Sequence, residues 1–193
     1  RASTTQHTMT AHTLFLVGSA REPGHVGNTE WLAQQAAASL PAGTKQTWLH
    51  LAQMNLPPFV DLRHTVGSYP MPDAGTALRD ALDATMAASQ IVLVSPVYWF
   101  APPTAIKNYL DHWSGWMRVP GLGFKEAMAA KTLAAIITNG GFEKAEPTIR
   151  SYEMCAQFMA MRWQGALWGK GGAPGAVASD EAAVAAAKTF LLV

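Results

Sequence analysis

The chain is nearly free of cysteine: Cys155 stands alone in 193 residues. That excludes an internal disulfide and any cysteine-ligated zinc or iron–sulfur centre within one chain, and it fits a reducing, cytoplasmic setting. Charge is sparse too, with 14% Asp, Glu, Lys and Arg and a net charge of +1. Such a balance offers no basic field for nucleic acid and no acidic face of the kind small electron carriers turn toward protein partners. No apolar run approaches the roughly 18 residues that cross a bilayer. The stretch before Thr13 lacks the apolar centre of a signal peptide and reads as a polar tail over residues 1–12. The histidines, at positions 7, 12, 25, 50, 64 and 112, show no paired ligand spacing, so no metal site is expected. Also missing are Gly-Lys-Ser/Thr after a glycine loop, Gly-x-Gly-x-x-Gly, and the Gly-x-Ser-x-Gly elbow. Their absence argues against a Walker-type loop, a standard dinucleotide fingerprint and a serine hydrolase.

What the chain does have is a regular alternation. Apolar β-type runs at Leu14–Val17, Gln46–Leu51, Ile91–Ser95, Thr132–Thr138 and Gln164–Trp168 read as strands. The third and fourth are unbroken, as expected of central strands covered on both faces. Helical spacing fills the gaps over Asn28–Leu40, Ala77–Ala88, Thr104–Trp113, Thr148–Met161 and Asp180–Leu191. Strands alternating with helices predict an α/β fold with a parallel sheet between helical layers, and nothing divides residues 13–193 into more than one domain. In such sheets ligands bind beyond the carboxyl ends of the strands, where strand order reverses.

Three loops at those ends carry the candidate chemistry. The first, Gly18 to Thr29, precedes a helix and brings Ser19, Arg21, Asn28 and Thr29 to the positive end of its dipole, which suits an anion, usually phosphate. Taken singly, these hydroxyls and amides would also serve as ordinary helix caps. The second loop, Pro96-Val97-Tyr98-Trp99-Phe100, sets consecutive aromatics at a strand end between prolines. They cannot all point into the core, so some should face a flat, amphipathic ring. The third loop, Thr138-Asn139-Gly140-Gly141, places backbone N–H groups beside whatever lies next to it, or simply turns a strand into a helix.

The three signatures together, Gly18-Ser19-Ala20-Arg21 with Gly27-Asn28-Thr29-Glu30, Ser95-Pro96-Val97-Tyr98-Trp99 with Ile106-Lys107-Asn108-Tyr109-Leu110-Asp111, and Thr138-Asn139-Gly140-Gly141, give the chain a family likeness. It resembles the flavodoxin-like NAD(P)H-dependent oxidoreductases, which include FMN reductases and NAD(P)H:quinone reductases. The resemblance implies a flavodoxin-like three-layer sandwich, a five-stranded sheet in the order 2-1-3-4-5, FMN as cofactor, and NADPH or NADH as reductant. It places the FMN phosphate on Ser19, Arg21, Asn28 and Thr29, and the isoalloxazine ring beside Pro96, Val97, Tyr98, Trp99 and Phe100 and beside Thr138, Asn139, Gly140 and Gly141. The flavin then carries the chemistry, so no catalytic side chain is expected. A small flat acceptor such as a quinone, a nitro or azo compound or free flavin would follow in ping-pong fashion, against a wall containing Trp99, Phe100 and Trp116. The first loop departs from the family pattern by the added segment around Pro23 and His25. A flavin-bound electron carrier or redox sensor is the alternative reading. The long proline-rich stretch from Asn55 to Gly75 is a candidate lid. Ile149, Tyr152, Ala156, Met159 and Trp163 make one apolar seam and Met154, Phe158 and Met161 a second, which predicts a homodimer or homotetramer.

Overall fold

A computed structural model describes residues 11–192. The expected tail over residues 1–10 lies outside that range. His12, counted with the tail from sequence, is instead the buried first residue of the first strand. Its ring joins the second strand and the end of a helix, through Thr47 Oγ1 at 2.9 Å and the Ala87 carbonyl at 3.2 Å.

Five strands, β1 His12–Val17, β2 Lys45–His50, β3 Gln90–Pro96, β4 Thr132–Asn139 and β5 Arg162–Lys170, form one sheet in the order β2-β1-β3-β4-β5. Every pairing is parallel. The order reverses between β1 and β3, so a crevice opens at their carboxyl ends. Period-two alternation sorts the side chains into two cores. Leu14, Leu16, Ile91, Leu93, Leu133 and Ile137 face one layer, which contains α2 Ala77–Ala87, α3 Thr104–Trp116, α4 Phe124–Ala129 and α5 Phe142–Phe158. Phe15, Val17, Val92, Val94, Ala134 and Ile136 face the other, built on α1 Asn28–Ala37 and α6 Glu181–Phe190. Burial from both sides favours apolar residues on both faces, which is why Ile91–Val94 in β3 and Leu133–Ile137 in β4 read as unbroken runs, with buried polar Gln90, Ser95, Thr132 and Thr138 kept to the strand ends.

α4 has no counterpart in the sequence reading, and α3 and α5 have other bounds than expected. α5 begins at Phe142 rather than after Pro147, because that proline sits in the second turn on the exposed side and removes only one helical N–H. α3 runs on to Trp116, one turn past the expected end. Its buried stripe of Ile106, Tyr109, Trp113 and Trp116 therefore continues at helical spacing. Trp116, expected in the pocket wall, lies in the core with its ring 5.5 Å from Phe124 and 5.6 Å from Tyr109. Among the described residues no helix is long and apolar enough to cross a membrane.

Candidate functional site

The first loop leaves β1 at Gly18, whose N–H donates to the Val94 carbonyl at 2.9 Å. Glycine is required there: a Cβ would lie 2.5 Å from Ile106 Cδ1. The added segment folds as a type II turn, with Pro23 and Gly24 at its centre, Gly24 at φ 84°, and the His25 N–H donating to the Glu22 carbonyl at 3.1 Å. Those residues are exposed, so the insertion bulges outward and leaves the start of the helix in place. His25 borders a small cavity of about 220 Å³ shared with Ser19, Arg21, Glu30 and His50.

Gly27 is the N-cap of α1, and no side chain caps it. The first-turn N–H groups of Asn28, Thr29 and Glu30 have no intrahelical acceptor by helix geometry, and they remain for an external one. Arg21 lies against this helix start. A Cβ on Gly27 would come 2.9 Å from Arg21 Nε and 3.9 Å from Ser19 Oγ, so the glycine leaves room for both. Among the described residues Arg21 has no carboxylate partner within ion-pair distance. Glu30, in the same first turn, is buried and its Oε1 meets His50 Nε2 at 2.8 Å.

Asn28 and Thr29 are placed differently from the expectation that their side chains face an anion. Asn28 Nδ2 donates to the Ala173 carbonyl at 3.0 Å and its Oδ1 accepts from the Val177 N–H at 3.3 Å. Thr29 Oγ1 meets Thr138 Oγ1 at 2.5 Å in a buried hydroxyl pair. Both side chains are spent on tying α1 to the loops after β5 and β4. What they offer an anion is backbone N–H.

The second loop contains the most unusual backbone in the molecule. Tyr98 and Ala101 exchange two backbone hydrogen bonds of 3.2 Å, closing a tight turn with Trp99 at φ 51° and Phe100 at φ 63°. Turns of this geometry favour Asn-Gly, because side chains with a Cβ are strained at positive φ. Here two large aromatics occupy it, with Trp99 92% and Phe100 54% exposed. Strain of this kind concentrates at functional sites, and this one lifts two ring faces out of the core. Pro96 and Val97, by contrast, are half-buried, and Val97 packs on the core. The Tyr98 hydroxyl accepts the Ala20 N–H at 3.4 Å, which links the second loop to the first.

In the third loop Thr138 is buried by its pairing with Thr29, while Asn139 and Gly141 are half-buried and Gly140 is exposed. Asn139 Oδ1 accepts from Trp168 Nε1 at 2.7 Å and from the Gly141 N–H at 3.4 Å. Pro96 and Thr138 are register partners, so the second and third loops leave the sheet side by side. The Ala20–Tyr98 and Thr29–Thr138 bonds complete the link among all three.

Sequence reading missed Trp168 and the segment after β5. That segment is joined to the third loop by the Gly171 N–H on the Asn139 carbonyl at 2.8 Å, and to the first by Asn28. Glycine spacing in 169–175 was the available signal. The stretch from Asn55 to Gly75 is held down by α3. Asn108 Nδ2 donates to the Pro57 carbonyl at 3.0 Å, Asn108 Oδ1 accepts the Phe59 N–H at 3.0 Å, and His112 Nε2 meets the Pro57 carbonyl at 2.8 Å. A groove of about 730 Å³ separates that stretch from Gly18, Ala20 and Tyr98.

Comparisons with known proteins give the arrangement a context. The NADPH-dependent FMN reductase family matches residues 11–188. YwqN of Bacillus subtilis (strain 168), a proposed NAD(P)H-dependent FMN-containing oxidoreductase, is 29% identical over 169 residues, covering 86% of this chain and 90% of its own. The Trp repressor binding protein of Bacillus subtilis superposes with a TM-score of 0.69 at 23% identity, over 93% of this chain and 97% of its own. The NAD(P)H:quinone oxidoreductase of Methanothermobacter marburgensis superposes with a TM-score of 0.66 at 15% identity, over 95% and 96%. At those identities the two structures show a common fold.

Proposed function

The chain belongs to the NADPH-dependent FMN reductase family, and from that membership we propose that it binds FMN across the three linked loops and passes electrons from NAD(P)H to a small flat acceptor. The observation that carries the reading is the pairing of an uncapped helix start, flanked by Arg21 and Ser19, with an aromatic turn held outward at positive φ. FMN has the matching halves, a phosphate and a flat ring. The donor set fits it: the α1 N–H groups and the Arg21 guanidinium are all donors, and a phosphate is all acceptors.

When bound, FMN supplies the hydride and electron chemistry. The chain's own residues bind and orient. Ser19, Arg21 and the first turn of α1 hold the phosphate end. Tyr98, Trp99 and Phe100 present aromatic surface to the ring, and Asn139 to Gly141 border its edge. No side chain is assigned an acid–base role. Nicotinamide and acceptor take turns over the same exposed face, which gives ping-pong kinetics. An aromatic rim on a weakly charged surface favours quinones, nitro or azo compounds or free flavin over a protein partner.

A second copy of the chain is the partner we propose, as a homodimer or homotetramer. Met154 and Phe158 on α5 are 55% and 64% exposed, beside a groove of about 530 Å³ walled by Trp113 and Met117. Light scattering at micromolar concentration tests this, and a monomer refutes it.

Steady-state oxidation of NADPH or NADH with menadione or free FMN as acceptor tests the activity. Parallel double-reciprocal lines are expected. Turnover no faster than buffer, with flavin bound, would leave an electron carrier or sensor as the better account.

A further inference from the structure

Trp168 belongs to none of the three loops and reaches the third through Asn139. An indole N–H is a donor and nothing else, so the Asn139 atom 2.7 Å from it must be the carboxamide oxygen. The Gly141 N–H, 3.4 Å from the same oxygen, makes the same demand from another direction. An asparagine side chain is otherwise nearly symmetric and could present oxygen or nitrogen to a ligand by a half-turn of its amide. Here that half-turn would set the Asn139 NH₂ against the Trp168 N–H, donor against donor. The indole itself is held. Its ring meets Phe142 edge-on at 5.8 Å, and its position on the edge strand β5 is paired with buried Ile137 of β4. The Asn139 backbone is fixed as well, by the Gly171 N–H on its carbonyl at 2.8 Å.

With the oxygen occupied twice, both amide hydrogens of Asn139 are left over. Among the described residues Asn139 Nδ2 has no hydrogen-bond partner, and the neighbouring Gly140 faces open space, with nothing within 4 Å of where a Cβ would stand. The third loop therefore presents donors to its ligand: an amide NH₂ beside glycine N–H groups. We propose that Trp168 is a positioning residue that locks the Asn139 amide with its NH₂ toward the bound ring, so that the third loop accepts only an acceptor edge, a ring carbonyl or an unprotonated ring nitrogen. This rests on the FMN reading of the site. Donors aimed at such an edge also favour the reduced, more electron-rich ring over the oxidised one.

The test is a double-mutant cycle read by FMN affinity and by the position of the bound flavin's absorption bands, with Trp168→Phe and Asn139→Ala singly and together. Phenylalanine keeps an aromatic ring beside Phe142 and removes the N–H together with part of the indole's packing surface, which the cycle separates by comparing the variant with and without Asn139. Each single variant should weaken FMN about three- to tenfold, the worth of one hydrogen bond. The pair should be no weaker than Asn139→Ala alone, and Trp168→Phe should shift the bands only while Asn139 is present. An additive pair overturns the proposal, because Trp168 would then act by its own packing. Should Trp168→Phe fail to fold, Asn139→Asp decides: it still accepts from the indole but offers no donor, and must bind FMN more weakly than Asn139→Ala. Equal affinities refute the donor face. In FMN-free protein, Asn139→Ala should move the Trp168 indole N–H proton resonance upfield, and an unmoved resonance means the lock is not made. Wild-type protein that takes up no FMN defeats the functional reading, while the resonance still reports on the lock.

Discussion

Replacing Trp99 separates the backbone strain of the aromatic turn from the work of its ring. The indole is 92% exposed, so it covers on the order of 20 Å² of apolar surface, worth about 0.5 kcal/mol. Trp99→Ala should therefore barely change the stability of FMN-free protein. Trp99→Gly also releases the φ of 51°, a conformation that costs a residue with a Cβ about 1–2 kcal/mol. Glycine's extra freedom in the unfolded chain takes back about 0.5–1 kcal/mol. The glycine variant should then be more stable than the alanine variant by about 0.5–1 kcal/mol, or about 1–4 °C in a domain of this size. Both should bind FMN about three- to tenfold more weakly, through the lost aromatic contact. Thermal unfolding of the apoprotein and fluorescence titration with FMN measure the two effects. The reasoning fails if Trp99→Ala lowers the melting temperature by many degrees, since the ring would then be packed. It fails equally if alanine and glycine melt together, since the turn would then be unstrained.

Other consequences are as direct. Thr29→Val or Thr138→Val alone leaves a buried hydroxyl without its partner and should cost about 1–3 kcal/mol, whereas the double valine variant should cost less than the sum, as chemical denaturation would report. Gly18→Ala drives a methyl into Ile106 and should destabilise by about 1–3 kcal/mol, with Gly18→Ala/Ile106→Ala costing less than the sum of the two single variants; an additive pair would place the clash elsewhere. Tyr109 is buried, and desolvation pushes its hydroxyl up to about 12 from an ordinary 10.0. The fold thus holds a proton that the unfolded chain releases, so this contribution is complete below about pH 10 and falls by about 1.4 kcal/mol per pH unit between 10 and 12. Burial raises Tyr152 in the same direction. Denaturation series across that window should show Tyr109→Phe removing one proton's share of the slope, and an unchanged slope would contradict the assignment.

The sheet was legible because burial on both faces leaves an apolar run in the middle of β3, Ile91–Val94, and of β4, Leu133–Ile137, and the loops because glycines and aromatics gather where strands end. Side-chain roles set by distant partners were not. Asn28 and Thr29 look like anion ligands beside their own helix start. Their partners are Ala173, Val177 and Thr138, far away in the chain, and no local pattern announces them. Trp116 was misplaced by ending α3 one turn early, which cut it from the Ile106, Tyr109, Trp113 stripe it extends. Trp168 read as the end of a strand, and its ring does pack there; its N–H reaches the third loop at Asn139. Pro147 looked like a helix boundary, although an exposed proline in a second turn disturbs little.

The central claim is that one site joins a phosphate-holding helix start to an aromatic ring platform. Calorimetric titration of the apoprotein with FMN and, separately, with riboflavin tests both halves at once. The account predicts one FMN per chain and a riboflavin affinity at least tenfold lower, since riboflavin lacks the phosphate that Arg21 and the α1 N–H groups hold. Equal affinity for the two flavins, or no uptake of FMN, would contradict it.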